Sequence, residues 1–276
     1  MIDRLRSLLR STGLTSRLSP LFARLENWRL AHYGSLQQRS ISPETAELVS
    51  ATGAVFRLGP PQHYADMSVS RHELPTLVAC LNVFAPVIQG GVVWDVGGNA
   101  GFYSALLSKI AGSEGLVYAF EPVPVTFDSM CANLKSATAF GVVPMNLALS
   151  DQDGTLPISF DPASDTTSSL EKNTGASFVE VRVAAGDSLV TSGECQPPTM
   201  LKMDIEGHEL KALEGMKKLL ARPECRAVLC EVHFSILAAS GENQAGAKAK
   251  KILSDAGFDT VTFISRSHLM ATKGRF

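Results

Sequence analysis

Short apolar runs alternate with helix-like stretches along most of the chain. Apolar runs of about four to eight residues between polar segments are typical of buried strands, whereas apolar positions recurring every three to four residues are typical of helices. The predicted strands are Val92–Val96, Leu116–Phe120, Val142–Leu149, Met200–Met203, Ala227–Val232 and Thr260–Ile264. The predicted helices are Phe102–Ala111, Pro124–Lys135, His208–Ala221 and Asn243–Ala256. This alternation predicts an α/β fold with a mainly parallel sheet and helices on both of its faces.

The alternation breaks between Ser150 and Thr199. Two added strands are predicted there, Leu156–Phe160 and Phe178–Val183. Between them, residues 161–175 are rich in Ser, Thr, Asp and Gly, which is typical of a surface loop. Loops near the carboxyl ends of strands often carry function, so we expect this loop close to the site.

Residues 1–50 form a predicted helical segment, ahead of a domain over residues 51–276 whose core is residues 91–276. Ser19 and Pro20 are typical of a helix start. Apolar residues then recur at helical spacing, at Leu18, Leu21, Leu25 and Trp28. Two roles are open for this helix: packing on its own domain or on a second copy in a homodimer, or lying on a membrane surface. We favour packing, because amphipathic helices usually face a core.

Composition and charge narrow the class of protein. An apolar share of 45% and a charged share of 19% fit a globular protein with a sizeable core. The net charge of −2 gives no support for a polyanionic partner, so we expect no nucleic acid. The five cysteines are scattered, without a CxxC pair. This pattern predicts reduced thiols, a cytoplasmic location and no zinc site.

A glycine-rich turn joins the first core strand to the first core helix. Its residues are Asp95, Gly97, Gly98, Asn99 and Gly101, with Phe102 opening the helix. Glycines let the backbone approach a ligand, and the N–H groups of a helix start point towards it. The dinucleotide pattern G-x-G-x-x-G fails here, because its third and sixth positions are Asn99 and Phe102. The acid Asp95 suits a cationic amino group, such as that of S-adenosylmethionine, and would repel a pyrophosphate. The alternative is a tight turn without a ligand.

The next two strand ends extend the predicted cofactor site. Glu121 ends the second strand, where an acid can accept hydrogen bonds from both ribose hydroxyls, and Pro122 follows it. Glu121 could instead only complement the dipole of the next helix. Asn146 and Ala148, at the end of the third run, suit the edge and the face of an adenine ring.

The fourth and fifth strands end in titratable residues. Strand alternation puts Lys202, Asp204 and Glu206 on one face, and likewise Glu231 and His233. Lys202 is interpreted as an ion pair between strands, since charges in a core must be paired. The ordinary pKa of histidine suits proton transfer near neutrality, although a lone histidine is more often structural. Acids and a histidine can also hold a metal, but no spacing here demands one.

Together these stretches resemble the FkbM family of methyltransferases. The stretches that carry the resemblance are DVGGNAGFYS, FEPVPVTFDSMCANL, NLALSDQDG, LKMDIEGHELKALEG and CEVH, in this order over residues 91–235. The resemblance implies a Rossmann-like class I methyltransferase fold with a seven-stranded, mainly parallel sheet. It also implies S-adenosylmethionine as cofactor and a hydroxyl of a glycan or a secondary metabolite as acceptor. It would assign Asp95, Gly97, Asn99 and Gly101 to the cofactor turn, Glu121 to the ribose and Asp204 to the transfer site.

The expected reaction is O-methylation. Asp204 and His233 are the candidate bases for the acceptor hydroxyl, with Glu231 or Glu206 orienting them, and Asp204 also borders the cofactor. Two alternatives stay open. An NAD(P)-dependent oxidoreductase is disfavoured by the missing glycine pattern. A non-catalytic nucleotide-binding or scaffold protein of the same fold is disfavoured by the acids at positions 95, 121 and 204.

Overall fold

The computed structural model describes residues 37–42, 45–49, 55–58, 84–136, 139–160, 168–169 and 177–274. The chain divides into two compact units, Met1–Pro86 and Val87–Phe276. The predicted amphipathic helix near Ser19 lies outside the described residues, and so does most of the predicted loop 161–175. The roles predicted for both therefore stay predictions.

The helices and strands are numbered in chain order. The strands are β1 (Gln37–Ser42), β2 (Thr45–Val49), β3 (Val55–Leu58), β4 (Val92–Val96), β5 (Leu116–Phe120), β6 (Val142–Met145), β7 (Ala148–Ser150), β8 (Gly154–Phe160), β9 (Ser168–Ser169), β10 (Ser177–Ala185), β11 (Met200–Met203), β12 (Ala227–Glu231), β13 (Thr260–Phe263) and β14 (His268–Thr272). The helices are α1 (Ala85–Ile88), α2 (Phe102–Ala111), α3 (Pro124–Ser136), α4 (Gly186–Thr191), α5 (Glu209–Glu214), α6 (Lys217–Ala221), α7 (Phe234–Ala239) and α8 (Ala245–Asp255).

The first unit contains a three-stranded antiparallel sheet in the order β1-β2-β3. Within the helical segment predicted over residues 1–50, residues 37–42 and 45–49 are therefore strands and not helix. Pro43 lies between the first two strands in sequence, and proline cannot donate the hydrogen bond that a helix interior requires. β3 pairs with β2 across the predicted domain boundary after residue 50.

The second unit is built on a seven-stranded sheet in the order β13-β14-β12-β11-β4-β5-β6. All neighbours pair in parallel except at β14, which runs antiparallel to β12 and to β13. The prediction of a mainly parallel seven-stranded α/β sheet is confirmed. The antiparallel strand β14 was missed, because HLMAT lies next to the chain end and is not preceded by a helix pattern.

Helices cover both faces of this sheet. In β4, Trp94 and Val96 join the core cluster formed with Leu213 of α5 and Leu253 of α8, which places these helices on one face. On the other face, Ser104 of α2 donates a hydrogen bond to the Asp95 carboxylate at 2.6 Å. The two faces of one strand are thus buried under different helices, as expected for a near-continuous apolar run.

A second sheet of four strands has the order β7-β10-β8-β9. It confirms the two added strands predicted between Ser150 and Thr199, with wider bounds. It also divides the run predicted as one strand, Val142–Leu149. Its first half is β6 of the main sheet, and its second half leads into β7, which pairs in parallel with β10.

The described helices also bear on whether a part of the chain could cross a membrane. None of the helices in the described parts of the chain combines the length and apolar character that crossing a membrane requires.

Candidate functional site

A cleft opens at the carboxyl ends of β4, β5 and β11, where ligands sit in open parallel sheets. The empty space within it, which includes open solvent at its mouth, is about 680 Å³. Its polar lining comes from Asn99, Glu121, Asp204, Glu206 and His208. Its apolar lining comes from Val96, Phe120, Pro122, Leu147, Ala148, Leu149, Ile158 and Ile205, together with the backbone of Gly97.

The turn after β4 forms the floor of the cleft. The N–H groups of Gly97 and Gly98 both donate to the Phe120 carbonyl, at 3.0 and 2.8 Å, which ties the turn to the end of β5. Gly97 has φ of +85°, and a β-carbon there would lie 1.9 Å from the Asp204 carbonyl oxygen. Only glycine fits at this position, because the turn backbone lies directly against the backbone that follows β11.

Glu121 lies at the end of β5 and is 4% exposed. Its two carboxylate oxygens accept hydrogen bonds from the Asn99 and Val123 N–H groups, each at 3.0 Å. Burial raises the pKa of Glu121 to about 7, against the opposing effect of these two hydrogen bonds. Each oxygen keeps a further lone pair for a ligand, so the carboxylate can accept a pair of hydroxyl donors.

An apolar wall faces Glu121 across the cleft. Leu147 and Leu149 flank Ala148 at the start of β7, and Ile158 of β8 extends the wall from the added sheet. Asn146 lies behind this wall, where its side-chain amide donates to the Glu121 carbonyl at 2.9 Å. Ala148 therefore lies where the sequence predicted it, whereas Asn146 holds the strand ends together and does not line the cleft.

Asp95 does not line the cleft, contrary to its predicted contact with a cationic ligand. β4 continues through Val96, so Asp95 is inside the strand and faces α2. It is fully buried, with Ser104 at 2.6 Å and the Lys202 ammonium at 3.4 Å. Burial raises the pKa of Asp95, although Lys202 and Ser104 oppose this. Burial alone would lower the pKa of Lys202, but Asp95 and Asp204 raise it overall. The predicted ion pair between strands is thus Asp95–Lys202.

Asp204, Glu206, Glu209 and His233 form a cluster at one end of the cleft. His233 Nε2 lies 3.3 Å from Glu206 Oε2 and 3.7 Å from Asp204 Oδ1. His233 Nδ1 lies 2.7 Å from Glu209 Oε1, at the start of α5. Glu206 has φ of +49°, an uncommon conformation for a side chain-bearing residue, which aims its carboxylate at His233. One imidazole is therefore in contact with three carboxylates.

In this cluster, burial and the neighbouring charges shift the pKa values of His233 and Glu206 in opposite directions. Burial alone would lower the pKa of His233, but the Glu209 hydrogen bond and the Glu206 and Asp204 carboxylates raise it to about 9. Burial raises the pKa of Glu206 to about 7, although His233 opposes this. In the free protein His233 therefore carries a proton at neutral pH and acts as the counter-charge of the acids.

The closest contacts of Glu231 lie outside this cluster, and its predicted role in orienting a base stays a prediction. Ser267 donates to Glu231 Oε1 at 2.9 Å, and His268 Nε2 lies 3.2 Å from Oε2. Burial alone would raise the pKa of Glu231, but His268 and Ser267 lower it to about 2. Glu231 is the last residue of β12 and pairs with His268 of β14, so it fastens the antiparallel strand.

His208 lines the cleft opposite the turn and is 7% exposed. Its Nε2 lies 3.0 Å from the Ser150 hydroxyl at the end of β7. Burial lowers the pKa of His208 to about 4, so its ring is neutral near pH 7. The structure thus gives His208 a clear place in the lining of the cleft.

The structure brings most of the predicted residues together and leaves some outside. Those lining the cleft are Gly97, Asn99, Glu121, Pro122, Ala148, Asp204 and Glu206, and His233 contacts two of them. Gly98 and Gly101 instead pack against Met130 of α3, and Phe102 packs edge-on against Tyr103. Glu209 was missed, because an acid at a helix start is usually interpreted as complementing the helix dipole.

Comparison with known proteins gives a family. Residues 95–260 match the model of the methyltransferase FkbM domain, which is well over half of the chain. Hexuronic acid methyltransferase AglP of Haloferax volcanii is 32% identical over 214 residues, which are 78% of this chain and 82% of AglP. Methyltransferase 1 of Beauveria bassiana is 28% identical over 157 residues, 50% of this chain and 62% of that protein. These matches confirm the resemblance drawn from the sequence and argue against an oxidoreductase.

A solved structure is similar as well. The crystal structure of methyltransferase FkbM from Methylobacillus flagellatus matches 66% of this chain and 43% of its own, with 16% identity and a TM-score of 0.44.

Proposed function

The chain belongs to the FkbM family of S-adenosylmethionine-dependent methyltransferases, and we propose that it methylates a hydroxyl group of a glycan. The relative AglP is named a hexuronic acid methyltransferase, which supports a sugar as the acceptor. The observation that carries the proposal is that Glu121 and Asp204 line one cleft, with His233 in contact with Asp204. Glu121 suits a nucleoside, and Asp204 suits a group that must lose a proton.

The residues of the cleft fit the cofactor. Glu121 would accept the ribose hydroxyls, because both of its oxygens are held by backbone N–H groups and keep acceptor capacity. Leu147, Leu149 and Ile158 would cover the adenine. Gly97 and Asp204 both line the cleft, so the methionine part would lie against the bare backbone of Gly97 and beside the Asp204 carboxylate. When bound, S-adenosylmethionine supplies an activated methyl group.

Asp204 would take the proton of the acceptor hydroxyl. Its side chain is 30% exposed and lines the cleft, so an acceptor can reach it. His233 contacts carboxylates through both ring nitrogens, and it would act by positioning Asp204 and Glu206. General-base assistance of this kind contributes about 10²–10⁴-fold to a rate. Much of the remaining acceleration would come from alignment in a site that excludes water.

A hydroxyl fits this end of the cleft better than a carboxylate. An acceptor carboxylate would meet Asp204 and Glu206, and like charges a few ångströms apart repel. A hydroxyl would instead donate a hydrogen bond to Asp204. On a uronic acid sugar we therefore expect an ether as the product, and not an ester.

The test is methyl transfer from radiolabelled S-adenosylmethionine into glycan and metabolite fractions of a cell extract, followed by mild alkaline hydrolysis of the product. Label in the glycan fraction that survives alkali is expected, because ethers resist conditions that cleave esters. Label that enters only the metabolite fraction, or that is released by alkali, would contradict the proposal.

Asp204→Asn provides the second arm of this test. Turnover should fall at least about 100-fold, since an amide cannot accept the proton. Affinity for S-adenosylhomocysteine, measured by calorimetry, should change far less. Asp128→Asn removes an exposed acid of α3 and is the matched control, with unchanged turnover. Full turnover in Asp204→Asn would mean that another group takes the proton.

A further inference from the structure

We propose that Asp204, Glu206 and His233 bind one divalent transition-metal cation in the transfer half of the cleft, with Glu209 orienting His233 from behind. The binding itself does not depend on the function proposed above. The role of the cation does depend on it: the cation would hold the acceptor oxygen and stabilise the negative charge that develops there.

The distances fit a small cation. One ligand atom from each of the three residues lies within 4.8 Å of the others. His233 Nε2 is 3.3 Å from Glu206 Oε2 and 3.7 Å from Asp204 Oδ1. Ligands at about 2.1 Å from a metal lie roughly 3.0 to 3.4 Å apart in octahedral or tetrahedral geometry. Small side-chain rotations would therefore complete the site, and the open side of the cleft leaves positions for water or substrate.

Glu209 provides an independent observation. Its side chain is fully buried, and its Oε1 contacts His233 Nδ1 at 2.7 Å. Its Oε2 has no hydrogen-bond partner among the described residues. A buried carboxylate that fixes one ring nitrogen, while the other nitrogen points to further ligands, is the usual arrangement behind a metal-bound histidine. A histidine that only neutralised surface acids would not need a buried carboxylate on its far side.

The charges around the cluster also favour a cation. Asp204, Glu206 and Glu209 are three carboxylates in contact with a single imidazole. Lys202 lies 3.8 Å from Asp204 Oδ2, but it also pairs with the buried Asp95. Asp204 Oδ1 is thus the oxygen directed towards the cation, and Oδ2, 3.8 Å from the Lys202 ammonium, remains to take the proton of the acceptor hydroxyl. Imidazole with carboxylates suits Mn²⁺ or Zn²⁺ better than Mg²⁺, which prefers oxygen ligands.

The direct test is titration of the chelator-treated full chain with Mn²⁺, following free Mn²⁺ by electron paramagnetic resonance. One Mn²⁺ per chain is expected. Glu206→Gln and His233→Gln should each weaken binding at least about 10-fold, and Glu209→Gln should weaken it by about 10–100-fold, the usual effect of losing such an outer carboxylate. Asp255→Asn removes an exposed acid of α8 and should leave the affinity unchanged. Equal affinity in all the variants, or no stoichiometric binding, would overturn the proposal.

A second measurement needs no variant. Pulsed electron paramagnetic resonance of the Mn²⁺-loaded wild type should detect coupling to an imidazole nitrogen, and its absence would exclude His233 as a ligand.

The failure of this inference can be told apart from the failure of the proposed function. With chelator present, S-adenosylhomocysteine should still bind while methyl transfer is lost, and Mn²⁺ should restore transfer. Full transfer in chelator would overturn the role of the cation and leave the methyltransferase proposal intact. No transfer to any glycan, with or without Mn²⁺, would count against the proposed function, whereas the binding titration would still decide the metal site.

Discussion

Replacing Gly97 by alanine tests whether the fold and the geometry of the cleft depend on the close backbone contact between Gly97 and Asp204. An alanine β-carbon would lie 1.9 Å from the Asp204 carbonyl oxygen, whereas real β-carbons essentially never come within 3.0 Å of another heavy atom. The turn after β4 must therefore move away from the end of β11 by about 1 Å. That movement would strain the hydrogen bond from the Asp204 N–H to the Val96 carbonyl, now 3.0 Å long.

Gly193→Ala is the matched control against which the loss of folding free energy in Gly97→Ala is compared. Gly193 has φ of +78°, close to the +85° of Gly97, but nothing lies within 4 Å of the position that a β-carbon would take there. Gly193→Ala should cost only the left-handed strain of about 1–2 kcal/mol, partly offset by the stiffer unfolded chain. Gly97→Ala has the same strain plus overpacking of about 1–3 kcal/mol. We expect Gly97→Ala to lower the free energy of unfolding by about 3–4 kcal/mol and Gly193→Ala by about 1 kcal/mol.

Urea unfolding followed by far-ultraviolet circular dichroism measures this difference. A calorimetric titration with S-adenosylhomocysteine then measures the site, where Gly97→Ala should bind more weakly because Asp204 and Glu121 have moved apart. Gly193→Ala should bind normally. If both alanine variants unfold at the same urea concentration, the close contact does not restrict this position and the reasoning is wrong.

Three further predictions concern the buried charges. Glu121→Gln should weaken S-adenosylhomocysteine binding roughly 10–100-fold by calorimetry, since hydrogen bonds to a charged group contribute about 1.5–3 kcal/mol; the exposed Glu114→Gln is the control. Wild-type affinity should also fall as the pH drops through about 7, because burial raises the pKa of Glu121 to about 7 and only the ionised form accepts both hydroxyls; a flat profile would contradict this. The free energy of unfolding has the opposite pH dependence. Because the pKa of Glu121 is raised in the fold, Glu121 stabilises the fold below its ordinary pKa of 4.5, and this contribution is lost as the pH rises to about 7. Glu121→Gln should therefore flatten the dependence of the free energy of unfolding on pH in this range. Lys202→Met should destabilise the protein by about 3–5 kcal/mol in urea because Asp95 is left buried and unpaired, and adding Asp95→Asn should recover much of the loss; no recovery would mean that the two side chains act independently.

The sequence alone predicts the parallel half of the fold well, for a physical reason. Strands buried on both faces need continuous apolar residues, so β4, β5 and β11 were predicted with the bounds that the structure has. The missed strand β14 is fully buried too, but it enters the sheet antiparallel after a short turn, and no helix separates it from β13. Periodicity identifies a buried run, but the partner and direction of that run depend on tertiary packing.

Two of the predicted site residues point away from the cleft for a common reason. Asp95 and Glu231 both lie at or near strand ends, and both were expected to point into the cleft. Within a strand, however, the pleat decides which face a side chain occupies, and a shift of one residue at the strand end reverses it. Asp95 faces α2 because β4 continues through Val96, and Glu231 faces His268 because β14 extends alongside it. The predicted bounds of β4 already included Val96, but the bounds of a strand do not show what packs against each of its faces, so the directions of Asp95 and Glu231 depend on tertiary packing.

The residues that do line the cleft share a different property. Asp204 and Glu206 come after the last residue of β11, and Glu121 follows the last residue of β5, where the pleat no longer decides the direction of a side chain. Their directions are set by local backbone contacts, such as the Asn99 N–H on Glu121 and the positive φ of Glu206. The buried acids Asp95 and Glu209 lie just behind these residues and hold Lys202 and His233. The site is therefore two layers of carboxylates: the inner layer contacts Lys202 and His233, and the outer layer lines the cleft in front of them.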